Sequence, residues 1–241
     1  MSEDKQLLDT EQKQQELKQR PIRSFVVRSG RMTLGQQKGW QEGWPKMGLD
    51  LDQAGKDIRE TYQKQQALVV EIGFGMGGSL SEMVAAAPDL NFLGIEVHRP
   101  GVGSLMALAQ EKNLNNLKVF CEDANEVLKS HIADNSIHRL QLYFPDPWHK
   151  ARHNKRRLVQ AAFVQSIRAK LEIGGVFHMA TDWEHYAEHM MEVMMSAEGF
   201  KNVSGDQNYA DRPNYRPVTK FEKRGQRLGH GVWDLLFERV S

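Results

Sequence analysis

The segment FPDPWHKARHNKRR, from Phe144 to Arg157, sets one carboxylate between two prolines and follows it with a dense cationic run. Pro145 and Pro147 fix φ on either side of Asp146 and restrict the residues before them, so this carboxylate is held rather than mobile. Taken alone, Pro-Asp-Pro is equally a plain strand end. Lys150, Arg152, Lys155, Arg156 and Arg157 form the run, with His149 and His153 interleaved. A charge run is ordinarily a solvated face, but one that leaves the rim of an active site is well placed for phosphates. Trp148 is a candidate base-stacking platform, worth roughly 1–3 kcal/mol per base when exposed, or else a core residue at a strand end. No carboxylate or cysteine spacing accompanies the histidines, which argues against a metal site.

A second constellation lies upstream. EIGFGMGGSL, from Glu71 to Leu80, puts a glycine-rich turn between a predicted strand and a predicted helix, where backbone approaches a ligand closely and a helix N-terminus opens toward it. Gly73, Gly75 and Gly78 keep the G-x-G-x-x-G spacing, with Gly77 beside them; alone, this fits a nicotinamide cofactor or a tight turn with no ligand. Three acids shift the balance. Glu96 closes FLGIEV, at the distance from which a carboxylate accepts from both ribose hydroxyls. Asp123 follows VFCE, placed to accept from an exocyclic adenine amine, and Glu71 precedes the glycines, where a cation is a better neighbour than a pyrophosphate. Acid, glycine turn, acid, acid fits S-adenosylmethionine, which carries ribose, adenine and a sulfonium but no phosphate. Glu71, Gly73, Gly75, Gly77, Glu96 and Asp123 are therefore the candidate cofactor residues, although each acid taken singly reads as a solvated strand-end carboxylate.

These residues need a scaffold, and the periodicity supplies one. From Leu68 onward, short runs rich in Val, Ile and Phe (ALVVEIG, NFLGIEV, NLKVFCE, IHRLQLYF, GVFHMAT) alternate with stretches of helical period, which predicts an α/β fold: a doubly wound, mostly parallel sheet with crossover helices. Leu80, Met83, Val84 and Ala87 form one buried stripe, and Val102, Leu105, Met106 and Ala109 another. Val159, Phe163, Ile167 and Leu171 lead to Gly174, and Tyr186, Met190, Val193, Met194 and Ala197 to Gly199, with both glycines expected to stop helices. The methionines of HMMEVMM read as core filler at helical spacing. Ligands of such sheets sit outside the carboxyl ends of the strands, and the fourth strand starts beside the first at the switch point, so Asp146 faces the methyl donor and joins the cofactor set. Asp182, ending MATDW, either shares that pocket or caps the next helix. Later come a long polar stretch, with Tyr209 and Tyr215 as RNA-stacking or loop-packing residues, and a last apolar run, VWDLLFERV.

Residues 1 to 20, rich in Gln, Lys and Glu, read as a mobile tail, 21 to 66 as an irregular N-terminal extension, and 67 to 241 as the catalytic domain. Lys plus Arg number 32 against 31 Asp plus Glu, so any nucleic-acid site must come from local clustering rather than global charge. The single cysteine, Cys121, excludes an intramolecular disulfide and multi-cysteine metal cages. The N-terminus has no apolar h-region and no run approaches the roughly 18 apolar residues of a membrane span, so the expectation is a soluble, cytoplasmic protein.

EIGFGMGGSL, FLGIEVHRPGVGSL, FPDPWHKARHNKRRLVQ and PVTKFEKRGQRLGHGVWDL together resemble the bacterial tRNA (guanine-N7-)-methyltransferase family, with RSFVVRSGRMT similar to its N-terminal extension. The likeness runs from about Arg23 to the end. It implies a class I S-adenosylmethionine-dependent methyltransferase fold (Rossmann-like), a cofactor site that includes Glu71, Glu96 and Asp123, and Asp146 as the catalytic or methyl-site acid. It further implies substrate contacts from Lys150, Asp182, Thr219, Lys220, Phe221 and Glu222, and RNA contacts from Arg152, His153, Asn154, Lys155, Arg156 and Arg157. An ion pair between Lys220 and Glu222 is the plainer reading of the late acid. The target it implies is a guanosine in the variable loop of tRNA. A methyltransferase of another RNA or of a small molecule, a nicotinamide oxidoreductase and a non-catalytic RNA-binding module remain the alternatives from the residues alone. The last of these would not require Glu71, Glu96 and Asp123 together.

Overall fold

The computed structural model describes residues 24–25, 30–53, 57–219, 222 and 231–241. Helix α1 (Leu34–Met47) leads into a two-residue strand, β1 (Gly48–Leu49). Then β2 (Leu68–Ile72), α2 (Gly78–Ala86), β3 (Asn91–Ile95), α3 (Arg99–Glu111), β4 (Leu117–Phe120), α4 (Ala124–His131) and β5 (Ile137–Tyr143) alternate strictly. A 3-10 helix (Ala151–Arg156), α5 (Ala161–Lys170), β6 (Leu171–Thr181), α6 (Glu184–Met195), β7 (Phe200–Asn202) and β8 (Trp233–Arg239) follow. The eight strands form one sheet in the order β1-β4-β3-β2-β5-β6-β8-β7, in which β8 alone runs opposite to the rest. The doubly wound α/β architecture expected from periodicity is the one observed. Among the described residues no helix is long and apolar enough to cross a membrane.

Every residue of β2 and β3 is buried, because helices cover both faces of a parallel sheet. The stripes of α2 and α3 pack with Val69, Phe92 and Val119 on one face, and those of α4, α5 and α6 with Val70, Ile72 and Leu140 on the other. Met190, Met191 and Met194 lie in that second core, as their spacing predicts. Two helix ends differ from expectation. Helix α5 stops at Lys170, and Gly174 lies inside β6, where the pairing with β5 shifts register between Ile137 and Arg139. Helix α6 stops at Met195, and Gly199 (φ 83°) instead turns the chain into β7. After α5 the apolar spacing continues to Leu171, which β6 buries, and after α6 to Ala197, half-buried against the same core, so periodicity overran both boundaries.

The stretch expected to be irregular contains α1, whose N-terminus carries a capping box: Thr33 Oγ1 accepts from the Gln36 amide at 3.3 Å and Gln36 Oε1 from the Thr33 amide at 2.8 Å. Its glycines and Pro45 obscure the helical pattern, yet the glycines have a use. A Cβ on Gly39 would fall 2.3 Å from the Gly103 carbonyl oxygen, and one on Gly43 2.7 Å from the Met106 Cβ, so α1 lies almost backbone-to-backbone on α3. Gly35, one turn earlier, faces open space. Equilibrium denaturation should therefore separate two chemically identical changes: Gly39→Ala lowers stability by about 1–3 kcal/mol through overpacking, whereas Gly35→Ala leaves it unchanged or raises it by up to about 1 kcal/mol through helix propensity.

Candidate active site

β2 stands between β3 and β5, and the chain leaves the carboxyl ends of β2 and β5 in diverging directions, which opens a crevice there. A cavity of about 360 Å³ fills it, lined among others by Gly73, Glu96, Asp123, Tyr143, Phe144 and Asp146. Sequence elements 70 residues apart thus meet because β2 and β5 pair in register, Ile72 beside Leu142.

The glycine turn is shaped by its neighbours. Gly77, at φ 76°, would place a Cβ 2.5 Å from the Leu105 Cβ, so it admits glycine alone. Gly78 has neither a positive φ nor a close neighbour, so the third glycine of the dinucleotide spacing is not demanded by this turn. Glu96 binds the turn directly: its Oε2 accepts from the Gly75 amide at 2.9 Å, and its Oε1 from the Val97 and His98 amides at 2.8 and 2.9 Å. Asp123 Oδ1 caps α4 through the Asn125 amide at 3.0 Å, and Asp123 lines the cavity.

Glu71 is different. It is 3% exposed, lies outside the cavity lining, and its Oε2 has no hydrogen-bond partner among the described residues. Burial, with the Glu96 carboxylate adding to it, pushes its pKa up to about 8. A buried, unpaired acid beneath a cavity is poised for a cation, as the ammonium-sulfonium end of S-adenosylmethionine requires, and the cavity above it offers ribose and adenine acceptors in Glu96 and Asp123. The residues present fit that group.

The FPDPW turn carries backbone strain: Phe144 and Trp148 have φ of 51° and 50°, the left-handed region that bulky residues rarely adopt. Asp146, between them, is exposed at the cavity. Trp148 is no free stacking platform. Its Nε1 donates to the Ser24 carbonyl at 3.1 Å, the Arg156 guanidinium lies 4.8 Å from its ring centroid, and the His153 ring meets it edgewise.

The basic run divides. Lys150, Arg152 and Lys155 are exposed, and His153, Asn154 and Arg156 are half-buried. Arg157 departs from the expectation of an RNA contact: it is 7% exposed, donates from Nε to the Pro147 carbonyl at 3.0 Å and lies 4.9 Å over the Tyr186 ring. The 3-10 turn rotates it inward, where it braces the Pro-Asp-Pro segment. Asp182 is exposed, and α6 begins at Glu184 with Trp183 at its N-cap and no side-chain cap, so the capping alternative is not realised. Thr219 and Glu222 cap each other, Glu222 accepting from the Thr219 amide at 3.3 Å and donating its own amide to Thr219 Oγ1 at 3.0 Å. Glu222 is 2% exposed and pairs with Arg216 at 2.7 Å. Lys220 and Phe221 lie outside the described residues.

Comparison with known proteins bears on the same residues. A family profile described as "Putative methyltransferase" matches residues 65–235. The tRNA (guanine-N(7)-)-methyltransferase of Aeromonas hydrophila is 60% identical over 92% of this chain and 94% of its own length. That of Yersinia enterocolitica is 59% identical over 91% of this chain and 92% of its own length. The chain belongs to the tRNA (guanine-N7-)-methyltransferase family. A crystal structure of a 16S rRNA methyltransferase superposes with a TM-score of 0.53 at 16% identity, covering 76% of this chain and 91% of its own, which supports the class I methyltransferase fold.

Against the family motifs, one group of residues went unforeseen. His178, Arg216 and Asp234 form a buried cluster beneath the late segment, joined to Tyr143 and Tyr215. Single histidines and arginines in separate elements carry no pattern, and only the charge of each in an otherwise apolar or looping stretch could have drawn notice.

The raised Glu71 pKa makes a sign-definite prediction. The folded chain holds a proton on Glu71 between the ordinary value of 4.5 and about 8, while the unfolded chain has lost it. The Glu71 contribution is therefore intact below pH 4.5, and stability declines as pH rises through 8. Thermal melts of the ligand-free protein should show Glu71→Gln matching the parent near pH 4 and melting several degrees higher at pH 8. Calorimetry should show the same variant binding S-adenosylmethionine more weakly.

Proposed function

We infer that this protein transfers a methyl group from S-adenosylmethionine to N7 of a guanosine in tRNA, within the variable loop. The observation that carries the reading is a juxtaposition: a cavity lined by the ribose and adenine acceptors Glu96 and Asp123, with Glu71 buried next to its lining residues Ile72 and Gly73, opens beside Asp146, and the chain leaves Asp146 directly into the exposed cations Lys150, Arg152 and Lys155. The curated relatives named for this activity span nearly the whole chain. A small-molecule methyltransferase would have no use for that ridge, a non-catalytic RNA-binding module none for Glu71, and the pyrophosphate of a nicotinamide cofactor would meet an unpaired acid. Action on tRNA supports a cytoplasmic location.

The chemistry sets modest demands. Guanine N7 has an in-plane lone pair and no proton, so no general base need act before transfer. Bound S-adenosylmethionine supplies an electrophilic methyl group on a positively charged sulfur. Glu96 and Asp123 would hold its ribose and adenine, Glu71 its cationic end, and the glycine turn of Gly73, Gly75 and Gly77 gives it room. Asp146 accepts from donor groups of the guanine and stabilises the purine as positive charge grows on it, with the strained turn fixing its direction. Asp182, Thr219 and Glu222 border the guanine, and Lys220 and Phe221 belong to the same segment. Lys150, Arg152, His153, Asn154, Lys155 and Arg156 face the RNA backbone, and Arg157 braces the turn that presents them.

The direct test is incubation with labelled S-adenosylmethionine and unmodified tRNA, followed by mapping of the labelled nucleoside; label at a position other than guanine N7 would overturn the substrate reading. Asp146→Asn should lower the single-turnover rate by about 10²-fold while tRNA affinity stays close to the parent's. Replacing Arg152 and Lys155 by alanine should weaken tRNA binding and flatten its dependence on log salt by roughly one unit per lost phosphate contact. Arg157→Ala should instead lower the melting temperature and leave the salt slope unchanged.

A further inference from the structure

Arg216 ties the late segment between β7 and β8 to the sheet from within. Arg216 is 1% exposed and every N–H of its fork that is assigned a partner goes to a carboxylate. Nε and one terminal nitrogen donate to Asp234 on β8 at 2.7 Å each, and the terminal nitrogens donate to Glu222 at 2.7 and 3.1 Å. Asp234 also takes the His178 Nε2 at 2.7 Å, and the other imidazole nitrogen meets the hydroxyls of Tyr143 and Tyr215 at 2.9 and 3.0 Å. With His178 neutral, one guanidinium stands between two carboxylates, and the Arg139 guanidinium, 3.8 Å over the Tyr215 ring, supplies the second positive charge nearby. On its remaining side, Arg216 lies 5.8 Å from the ring of Phe144, the strained residue that turns β5 into Pro145 and Asp146. One side chain therefore touches both halves of the candidate guanine pocket: the Thr219 to Glu222 cap and the Asp146 turn.

We propose that Arg216 is a positioning residue for methyl transfer, clamping Thr219 and Glu222 to β8 at the point where Phe144 directs Asp146 into the cavity. This rests on the tRNA-methylating reading above. Arg216, Asp234, Thr219 and Glu222 are all absent from the cavity lining, which includes Phe144 and Asp146, so the effect acts at a distance, through Phe144 and the Asp146 turn on one side and the Thr219–Glu222 pair on the other. The bidentate geometry explains the residue type: lysine keeps the charge but offers a point donor where two carboxylates need a planar fork.

Arg216→Lys and Asp234→Asn, singly and together, test the clamp. In single-turnover methylation of tRNA each is expected to be slower by roughly 10²-fold, with affinities for S-adenosylmethionine and tRNA close to the parent's. The double variant is expected to be no slower than the slower single one, because both remove the same fork. Amide hydrogen exchange supplies an arm that needs no substrate: Thr219 and Glu222 should exchange faster in each variant while β2 and β5 keep the parent's protection. Parent-like rates and exchange in a folded variant, or fully additive losses, would overturn the proposal. If Arg216→Lys does not fold, Asp234→Asn carries both readouts. A parent protein that leaves tRNA unmethylated would defeat the substrate reading alone, and the exchange result would still decide the clamp.

Discussion

The parallel pairing of β2 with β5 is the constraint on which the rest of this structure depends. The two strands are joined through β3, β4 and three helices, yet lie side by side with Leu68 beside Ile137 and Ile72 beside Leu142. Both point their carboxyl ends the same way, so the residues that follow them, the glycine turn after Ile72 and the Phe-Pro-Asp-Pro turn after Tyr143, emerge at one edge. An antiparallel neighbour would have sent one of these turns to the opposite edge. Cofactor groups and substrate acid meet because the strand direction leaves them no other place.

That placement costs polar burial. Glu71, Gln141 and His178 are register partners across β2, β5 and β6, on the face where the core otherwise offers Val69, Phe92 and Tyr143. Gln141 is fully buried with neither amide atom partnered among the described residues, and Glu71 keeps an unpaired oxygen. An apolar row would be more stable. The row is tolerated because it runs beneath the site, where an unpaired acid can serve a cationic ligand. At its β6 end the same row is satisfied by Asp234 and the tyrosines, and there Arg216 attaches the late segment.

The basic run shows how a short linear motif acquires separate tasks. As letters, Lys150 to Arg157 is one cluster. Folded as a 3-10 turn, its side chains fan out by about 120° per residue, so neighbours in sequence face different surroundings. Arg152 and Lys155 meet solvent, Arg156 covers Trp148, and Arg157 turns beneath to hold the Pro147 carbonyl. Tyr215 took the loop-packing role rather than the RNA-stacking one, with its hydroxyl on His178 and its face under Arg139.

By itself the sequence determined the strand and helix alternation, the two apolar stripes of α2 and α3, the glycine turn, the strand-end acids and the prolines around Asp146. These are local properties: period, φ restriction and the absence of a Cβ act within a few residues. It also carried the capping box of α1, although glycines spaced for contact with α3 masked that helix. Only the tertiary structure decided which charges are used up inside. Arg157, Arg216, Asp234 and Glu222 look like surface residues as letters, because burying a charge depends on a partner many positions away, and no local pattern announces the partner. It likewise decided where α5 and α6 end, since apolar residues just beyond each helix, Leu171 in β6 and Ala197 before β7, pack on the same core and so prolong the period past the boundary.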